Sequence, residues 1–154
     1  MSVLVNSIEI AAPAEVVFDY ASDLSNELEW GEPVRIVKLT DGPVGVGTRF
    51  DAQWKGGGPI DVTYVLIERP RRWRTRGRSP RMDIYFEGKV ETLAPSRSRL
   101  TRTMELHPHG GLKLLSPILK RAMQRTVEKN LGALRVAIER RFAALSDSTV
   151  VAPV

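Results

Sequence analysis

The longest uninterrupted pattern in the sequence is a helical period over residues 116–144. Apolar side chains recur there every three or four residues, which places them on one face of an α-helix. Ser116 suits the N-cap and Pro117 the first helical position. Such a helix spans about 40 Å, roughly the width of a compact domain, so the rest of the chain must cover its apolar face. The apolar stripe is Leu115, Leu119, Met123, Val127, Leu131, Leu134, Ile138 and Phe142.

Length and composition point to one domain. The chain has 154 residues, 42% of them hydrophobic, with no second period or linker, so we predict a domain over 1–145 and a disordered tail over 146–154. The absence of cysteine excludes disulfides and thiolate chemistry. The N-terminal residues lack the pattern of a secretory signal, so we expect a cytoplasmic protein. No apolar run approaches the roughly 20 residues that cross a bilayer, which limits any membrane contact to a peripheral one.

Most of the remaining chain shows the alternation typical of β-strands. A first strand over 3–10 is followed by two short helices, the second capped by Ser22 or Asp23. Further strands are predicted over 34–40, 48–55, 60–69, 73–79, 82–93 and 98–107. This order predicts an α+β fold in which a seven-stranded antiparallel sheet wraps around the C-terminal helix.

Several stretches resemble a known family. They are residues 8–18 (IEIAAPAEVVF), 22–26 (SDLSN), Trp30 and 45–50 (GVGTRF). In these the sequence resembles the START-like or Bet v 1-like (SRPBCC) superfamily, and within it small bacterial proteins described as polyketide cyclase/dehydrase-like. The resemblance implies a helix-grip fold with a cavity between sheet and helix for an apolar ligand. Members include lipid carriers, hormone receptors and aromatic polyketide cyclases, so the resemblance does not imply one activity.

Strand alternation separates an inner from an outer face of the predicted sheet. The inner face carries large aromatic residues, which fit either a core packed against the helix or a ligand cavity. Gly77 and Gly88 also fall on this face and indicate bending or room for another group. The residues predicted to bind a ligand are Trp30, Phe50, Trp54, Tyr64, Trp73, Thr75, Phe86, Arg102, Met104, Met123, Val127 and Leu131.

Arg102 breaks the apolar pattern of the inner face. A buried guanidinium needs a partner, so either a bulge turns it outward or a carboxylate such as Glu105 or Glu128 pairs with it. The functional alternative is an anchor for a carboxylate, phosphate or enolate oxygen at one end of an apolar pocket. Tyr64 or Thr75 could then supply further hydrogen-bond donors.

A series of arginines alternates onto the outer face, opposite a series of carboxylates. Cross-strand ion pairs would make this cluster a solvated ladder, which we favour over binding of nucleic acid or anionic lipid. Proteins that bind single-stranded nucleic acid interleave exposed aromatics with the basic groups, and only Tyr85 has that position here. The arginines are Arg72, Arg74, Arg76 and Arg78, and the carboxylates are Asp83, Glu87 and Glu91.

No cofactor, metal site or covalent nucleophile is predicted. His107 and His109 lack a third ligand, and the glycines at 56–58 precede a strand rather than a phosphate-binding helix.

Three functions remain, the first being binding or transport of a hydrophobic small molecule or lipid. The second is a cyclase or dehydratase in which Arg102 and Tyr64 polarise a carbonyl. The third is an interaction module on the basic outer face. The sequence specifies neither the ligand nor the oligomeric state.

Overall fold

The computed structural model describes residues 1–150, with side chains through residue 147. It shows the predicted helix-grip fold, a seven-stranded antiparallel sheet curled around a long C-terminal helix. In chain order the elements are β1 (Ser2–Ile10), α1 (Ala14–Ala21), a 3-10 turn (Leu24–Asn26), α2 (Glu27–Trp30), β2 (Pro33–Lys38), β3 (Arg49–Trp54), β4 (Ile60–Glu68), β5 (Arg72–Arg78), β6 (Met82–Ala94), β7 (Arg97–Pro108), a 3-10 segment (Gly110–Leu115) and α3 (Ser116–Val150).

The strand order is β1-β7-β6-β5-β4-β3-β2, so the chain reaches the two edges of the sheet with its first two strands. Helices α1 and α2 lie between those strands in sequence and carry the chain from one edge to the other. The side chain of Asp23 caps the turn before α2 by accepting a hydrogen bond from the Ser25 amide at 3.0 Å, as the sequence predicted for this position.

Helix α3 packs along β1 and against α1 and α2. Its second half is anchored in the core, where Leu131, Leu134 and Ile138 are buried. Its first half is more open, since Met123 and Val127 are only half-buried. The second half of α3 is therefore packed most tightly against the rest of the protein, whereas the first half covers the inner face of the sheet less completely.

Both predicted ends of α3 need correction. Ser116 has φ −48° and ψ −46°, which is already helical, so it is not the predicted N-cap; the 3-10 segment leads directly into the helix. At the other end α3 runs to Val150 rather than stopping at 144. Residues 146–150 of the predicted disordered tail are thus helical, while 151–154 lie outside the described residues.

A bulge in β4 corrects the predicted inner face. Tyr64 lies opposite Thr75, but the next paired residue, Leu66, lies opposite Arg74, so the strand carries one extra residue at Val65. An extra residue reverses the alternation beyond it. Leu66, expected on the inner face, therefore shares the outer face with Arg74, and Ile67 takes the inner position and packs against the core.

The space left by Gly88 on the inner face is filled by the protein itself. A Cβ atom at this position would lie 2.3 Å from the Trp73 indole, so only glycine allows that ring to lie flat against β6. The room that the sequence predicted at Gly88 is therefore occupied by the Trp73 ring and not by a further molecule.

Candidate ligand-binding site

Arg102 lies in the middle of β7, between Asn6 on β1 and Gly88 on β6. The register of β7 is regular at this point, and the Arg102 side chain is only 12% exposed. No bulge turns it to the outer face. The strand therefore directs a guanidinium into the space between the sheet and the helices.

The carboxylate nearest to this guanidinium belongs to Glu27. Glu27 is the first residue of α2, and its Oε1 lies 4.0 Å from Arg102 Nη2. The predicted partners are wrong, since Glu105 contacts His107 and Glu128 contacts Gln124. The placement of α2 across the open side of the sheet brings Glu27 inside.

Aromatic rings lie on both sides of the Arg102 guanidinium. Its central carbon is 5.2 Å from the centre of the Trp30 ring and 5.0 Å from that of Phe86, both within the range of a cation–π contact. A separation of 4.0 Å from Glu27 is too long for a hydrogen bond, and no other side chain described through residue 147 supplies one to Arg102. The guanidinium is thus flanked by rings with its N–H donors uncommitted.

Glu27 has a donor of its own, because Trp54 Nε1 donates a hydrogen bond to its Oε2 at 2.5 Å. Burial raises the pKa of Glu27, although the Arg102 charge and the Trp54 hydrogen bond act in the opposite direction. Burial likewise lowers the pKa of Arg102 against the effect of Glu27. Each group is poorly solvated, and its neighbours only partly offset the cost of burying its charge. Under these conditions an anionic ligand would interact strongly with Arg102, and Glu27 could exchange a proton with a ligand.

The remaining predicted residues divide into two groups, of which the first is half-buried on the inner face of the sheet, on α2 and on α3. Thr75, Phe86 and Met104 lie side by side on neighbouring strands and are half-buried. Met123 and Val127 are half-buried on α3, and Trp30, Trp54, Phe86 and Val127 pack against the edge of the core. These incompletely covered inner-face side chains are the ones that a bound molecule could reach.

The second group is fully packed in the core, and it consists of Phe50, Tyr64, Trp73 and Leu131. Trp73 meets Phe18 edge to face, with the ring centres 5.4 Å apart. These residues belong to the packed core and are not accessible to a ligand.

Tyr64 does not supply the predicted donor to a ligand. Its hydroxyl donates to the Ser22 carbonyl oxygen at 2.6 Å and accepts from the Leu24 amide at 3.0 Å. Burial raises the pKa of Tyr64 well above its usual range, so the hydroxyl keeps its proton and this role. It fixes the turn that leads into α2, and so it helps to place Glu27.

Two surface pockets lie elsewhere in the molecule, with volumes of about 320 and 340 Å³. Neither is lined by Arg102 or Glu27. The first is lined by Glu68, Arg71, Arg72, Lys89, Val90 and Glu91, and the second by Tyr20, Glu29, Ala137, Arg140 and Arg141.

The predicted histidine pair lies outside the inner face. The His107 ring contacts Tyr85 on the outer face at 5.2 Å between centres, and His109 Nε2 is 3.5 Å from Asp83. Among the described residues no three His, Cys, Asp or Glu side chains are grouped closely enough to hold a metal ion. No described helix combines the length and apolarity needed to span a membrane.

Fold and site together define a helix-grip protein with a charged group inside its sheet. The family model for "Polyketide cyclase / dehydrase and lipid transport" matches residues 1–139, and the chain belongs to this family. The resemblance inferred from the opening motifs is confirmed. No curated protein matches the sequence.

Solved structures with the same fold are distant in sequence. The Zhui aromatase/cyclase from Streptomyces sp. R1128 superimposes with a TM-score of 0.74 at 18% identity, over 91% of this chain and 94% of that one. Norcoclaurine synthase from Thalictrum flavum, in complex with dopamine and hydroxybenzaldehyde, gives a TM-score of 0.65 at 16% identity, over 89% of this chain and 86% of that one. At these identities the likeness shows the fold alone.

Glu27 is the site residue that the sequence reasoning missed. The signal available was its spacing, because Glu27 and Trp30 are three residues apart on α2, just after the turn that Asp23 caps, which places them on one face. Which way that face points depends on how α2 lies on the sheet.

Proposed function

We propose that this protein binds a hydrophobic small molecule or lipid between the inner face of the sheet and α3, with Arg102 holding an anionic group of the ligand. The observation that carries this proposal is the guanidinium itself, which is 12% exposed and flanked by Trp30 and Phe86. Its nearest carboxylate, Glu27, is too distant for a hydrogen bond. A planar set of donors in apolar surroundings suits a carboxylate or enolate attached to an apolar body.

The half-buried side chains around Arg102 favour a flat or aromatic apolar body. Trp30 and Phe86 offer ring faces, and Met104 and Met123 can adjust their shape to different ligands. The description of the family includes lipid transport, and one structural relative was solved with two small aromatic molecules bound. The first supports an apolar ligand, and the second supports an aromatic one of modest size.

The test compares an acid with its uncharged analogue. Binding of 2-naphthoate and of its methyl ester is titrated by tryptophan fluorescence in the wild type, in Arg102→Met and in the outer-face control Arg74→Met. Charge-assisted hydrogen bonds contribute about 1.5–3 kcal/mol, so Arg102→Met should weaken binding of the acid about 10- to 100-fold and keep that of the ester. The control should bind both compounds as the wild type does.

Two results would overturn the proposal. Equal loss of acid and ester in Arg102→Met would make Arg102 a structural residue. If a range of apolar acids and esters all fail to bind the wild type, the inner face is simply filled by its own side chains.

A cyclase or dehydratase activity is the second candidate, favoured by the pairing of Glu27 with Arg102. A carboxyl group whose pKa is raised by burial holds its proton to higher pH and can donate it, and a guanidinium nearby can stabilise an enolate oxygen. In this candidate mechanism Glu27 takes the role that the sequence analysis gave to Tyr64, because the Tyr64 hydroxyl is hydrogen-bonded to the backbone. Incubation with a linear poly-β-ketothioester tests this: Glu27→Gln should abolish formation of a ring product while naphthoate binding persists, and absence of product with the wild type would argue for binding alone.

A further inference from the structure

The chain around the start of α3 carries only positive charge. From residue 106 to 127 there is no Asp or Glu. The same stretch contains four exposed cationic side chains, and none of them forms an ion pair with the side chains described through residue 147. In the other arginine-rich stretch, residues 69–82, several cations do pair with carboxylates, as Arg74 does with Glu87 and Arg69 with Asp19. The four cations are Lys113, Lys120, Arg121 and Arg125.

Large apolar side chains are exposed in the same place. Leu114 is 86% exposed, Ile118 70% and Leu115 50%. Single exposed apolar residues are ordinary on a protein surface, but a contiguous group of this kind marks a contact site. Three such residues within five positions, at the junction of the 3-10 segment and α3, form such a group.

Helical spacing places apolar and basic residues on one side of α3. Ile118 is followed at three-, four- and seven-residue intervals by Arg121, Ala122 and Arg125, all of them exposed. The side that faces the sheet carries Met123 and Val127 instead. One apolar side of the helix thus packs against the sheet. At its first turns the helix has a second apolar surface, which is exposed and bordered by cations.

We propose that this surface docks the protein on an anionic lipid bilayer. The lipid-docking face consists of Leu114, Leu115 and Ile118 together with Lys113, Arg121 and Arg125, whereas Lys120, two residues after Ile118, lies on the opposite side of the helix. Apolar side chains that protrude between cations enter the boundary between headgroups and acyl chains, while the cations meet anionic headgroups. The inference uses none of the residues of the Arg102 site and stands whether or not that site binds a ligand.

Charge argues against a second copy of the chain as the occupant. A symmetric dimer through this face would bring two sets of three cations together with no carboxylate between residues 106 and 127 to separate them. Like charges facing each other at an interface are unfavourable. An anionic bilayer offers both an apolar layer and the opposite charge.

The charge requirement is tested by cosedimentation with vesicles of phosphatidylcholine alone or mixed with phosphatidylglycerol. The wild type should bind only the mixed vesicles, and added salt should weaken the binding. Neutralising Arg121 and Arg125 together (Arg121→Ser, Arg125→Ser) should lower the affinity about 25-fold, since each cation near an anionic surface contributes about five-fold. The matched control on the same helix, Arg135→Ser with Arg140→Ser, should have a much smaller effect.

The apolar requirement is tested by Leu114→Ser with Ile118→Ser. Burial of each side chain should contribute about ten-fold or more, so this double variant should bind the mixed vesicles about 100-fold more weakly, whereas Val136→Ser on the same helix should bind normally. Thermal unfolding and naphthoate titration of every variant confirm that the fold and the Arg102 site are unchanged.

Three outcomes would overturn the proposal. The first is failure of the wild type to bind mixed vesicles at low salt, and the second is binding of both double variants as tight as that of their controls. The third is a wild-type dimer in solution that Leu114→Ser with Ile118→Ser dissociates, without any binding to vesicles, which would make this face a protein interface.

Discussion

The two faces of the sheet each carry an arginine near a glutamate, and the pairs differ in geometry and surroundings. On the outer face Arg74 Nε donates to Glu87 at 2.5 Å, and the Arg74 side chain is 52% exposed. On the inner face Arg102 is 12% exposed and stays 4.0 Å from Glu27. The shorter contact, between Arg74 and Glu87, is exposed to water, which weakens the attraction between the charges. The buried groups Arg102 and Glu27 are not in hydrogen-bonding distance. The outer pair is therefore a solvent-screened surface contact, whereas the inner groups are poorly solvated and are not hydrogen-bonded to each other.

The two glutamates also differ in the direction of their pKa shifts. Burial raises the pKa of Glu27 and outweighs Arg102 and Trp54. At Glu87 burial acts in the same direction, but the hydrogen bonds and charges of Arg74 and Lys89 outweigh it and the pKa is lowered. The same residue type thus has a poorly solvated charge on one face and a stabilised charge on the other.

The largest contrast is expected when each glutamate is removed. Glu27→Ala leaves a buried, unpaired Arg102 and a Trp54 N–H without its acceptor, so it should lower the free energy of unfolding by about 3 kcal/mol. Glu87→Ala should lower it by about 1 kcal/mol or less, because its partner is exposed. Urea denaturation measures both.

A double variant controls this comparison. Glu27→Leu with Arg102→Met replaces both buried charges by apolar groups and should recover most of the lost stability. Equal effects of Glu27→Ala and Glu87→Ala would mean that the inner pair is as well solvated as the outer one.

A smaller contrast is expected in the dependence of stability on pH. Above the ordinary pKa of 4.5, Glu27 loses its proton in the unfolded chain while the folded protein still holds it. The unfolded state then binds fewer protons, so the free energy of unfolding falls as the pH rises from about 4.5 through the raised pKa of folded Glu27. Glu27→Gln should remove this fall.

Glu87→Gln should change the pH dependence of stability on the acid side of 4.5, where Glu27→Gln has little effect. Its folded pKa is lowered, so its contribution is present above 4.5 and is lost as the pH falls through the folded value. Thermal unfolding of both variants and the wild type across the acid and neutral range gives the two slopes. Slopes of the same sign for Glu27 and Glu87 would contradict the difference between the faces.

The smallest effect is expected from Arg74→Ala on the outer face. The Arg74–Glu87 contact is half-exposed, so stability should change by less than about 1 kcal/mol and naphthoate binding should stay intact. Calorimetry and the fluorescence titration measure the two quantities. A large loss of ligand affinity would instead connect the outer face to function.

Strand alternation and the helical stripe, together with the family resemblance, predicted the fold and gave Arg102 an inner-face position, with a bulge that turns it outward as the open alternative. The alternation and the stripe depend on the period of side chains along one element, which is readable from sequence. The bulge at Val65 escaped this reasoning, because one inserted residue leaves no local mark yet moves Leu66 to the outer face.

Contacts between elements that are distant in sequence were the second feature that could not be predicted. Glu27 meets Arg102 only because α2 crosses the sheet, and the Tyr64 hydroxyl is occupied only because the Ser22 carbonyl turns toward it. The predicted ladder is also incomplete. Register sets Arg74 opposite Glu87 but Arg72 opposite Lys89, and Arg72 binds Glu68 instead. Arg76 lies opposite Tyr85, and its buried Nε has no hydrogen-bond partner.

The strand order has a consequence for how the chain acquires this fold. β1 pairs only with β7, and the contact between Ser7 and Thr101 joins residues 94 positions apart. Strands β2 to β7 can form as successive hairpins, but β1 must wait until β7, which ends at Pro108, has left the ribosome. Closing so long a loop is entropically costly, and distant pairing slows folding. Until then Leu4 and Ile10, which the finished sheet buries, are exposed on a strand without a neighbour.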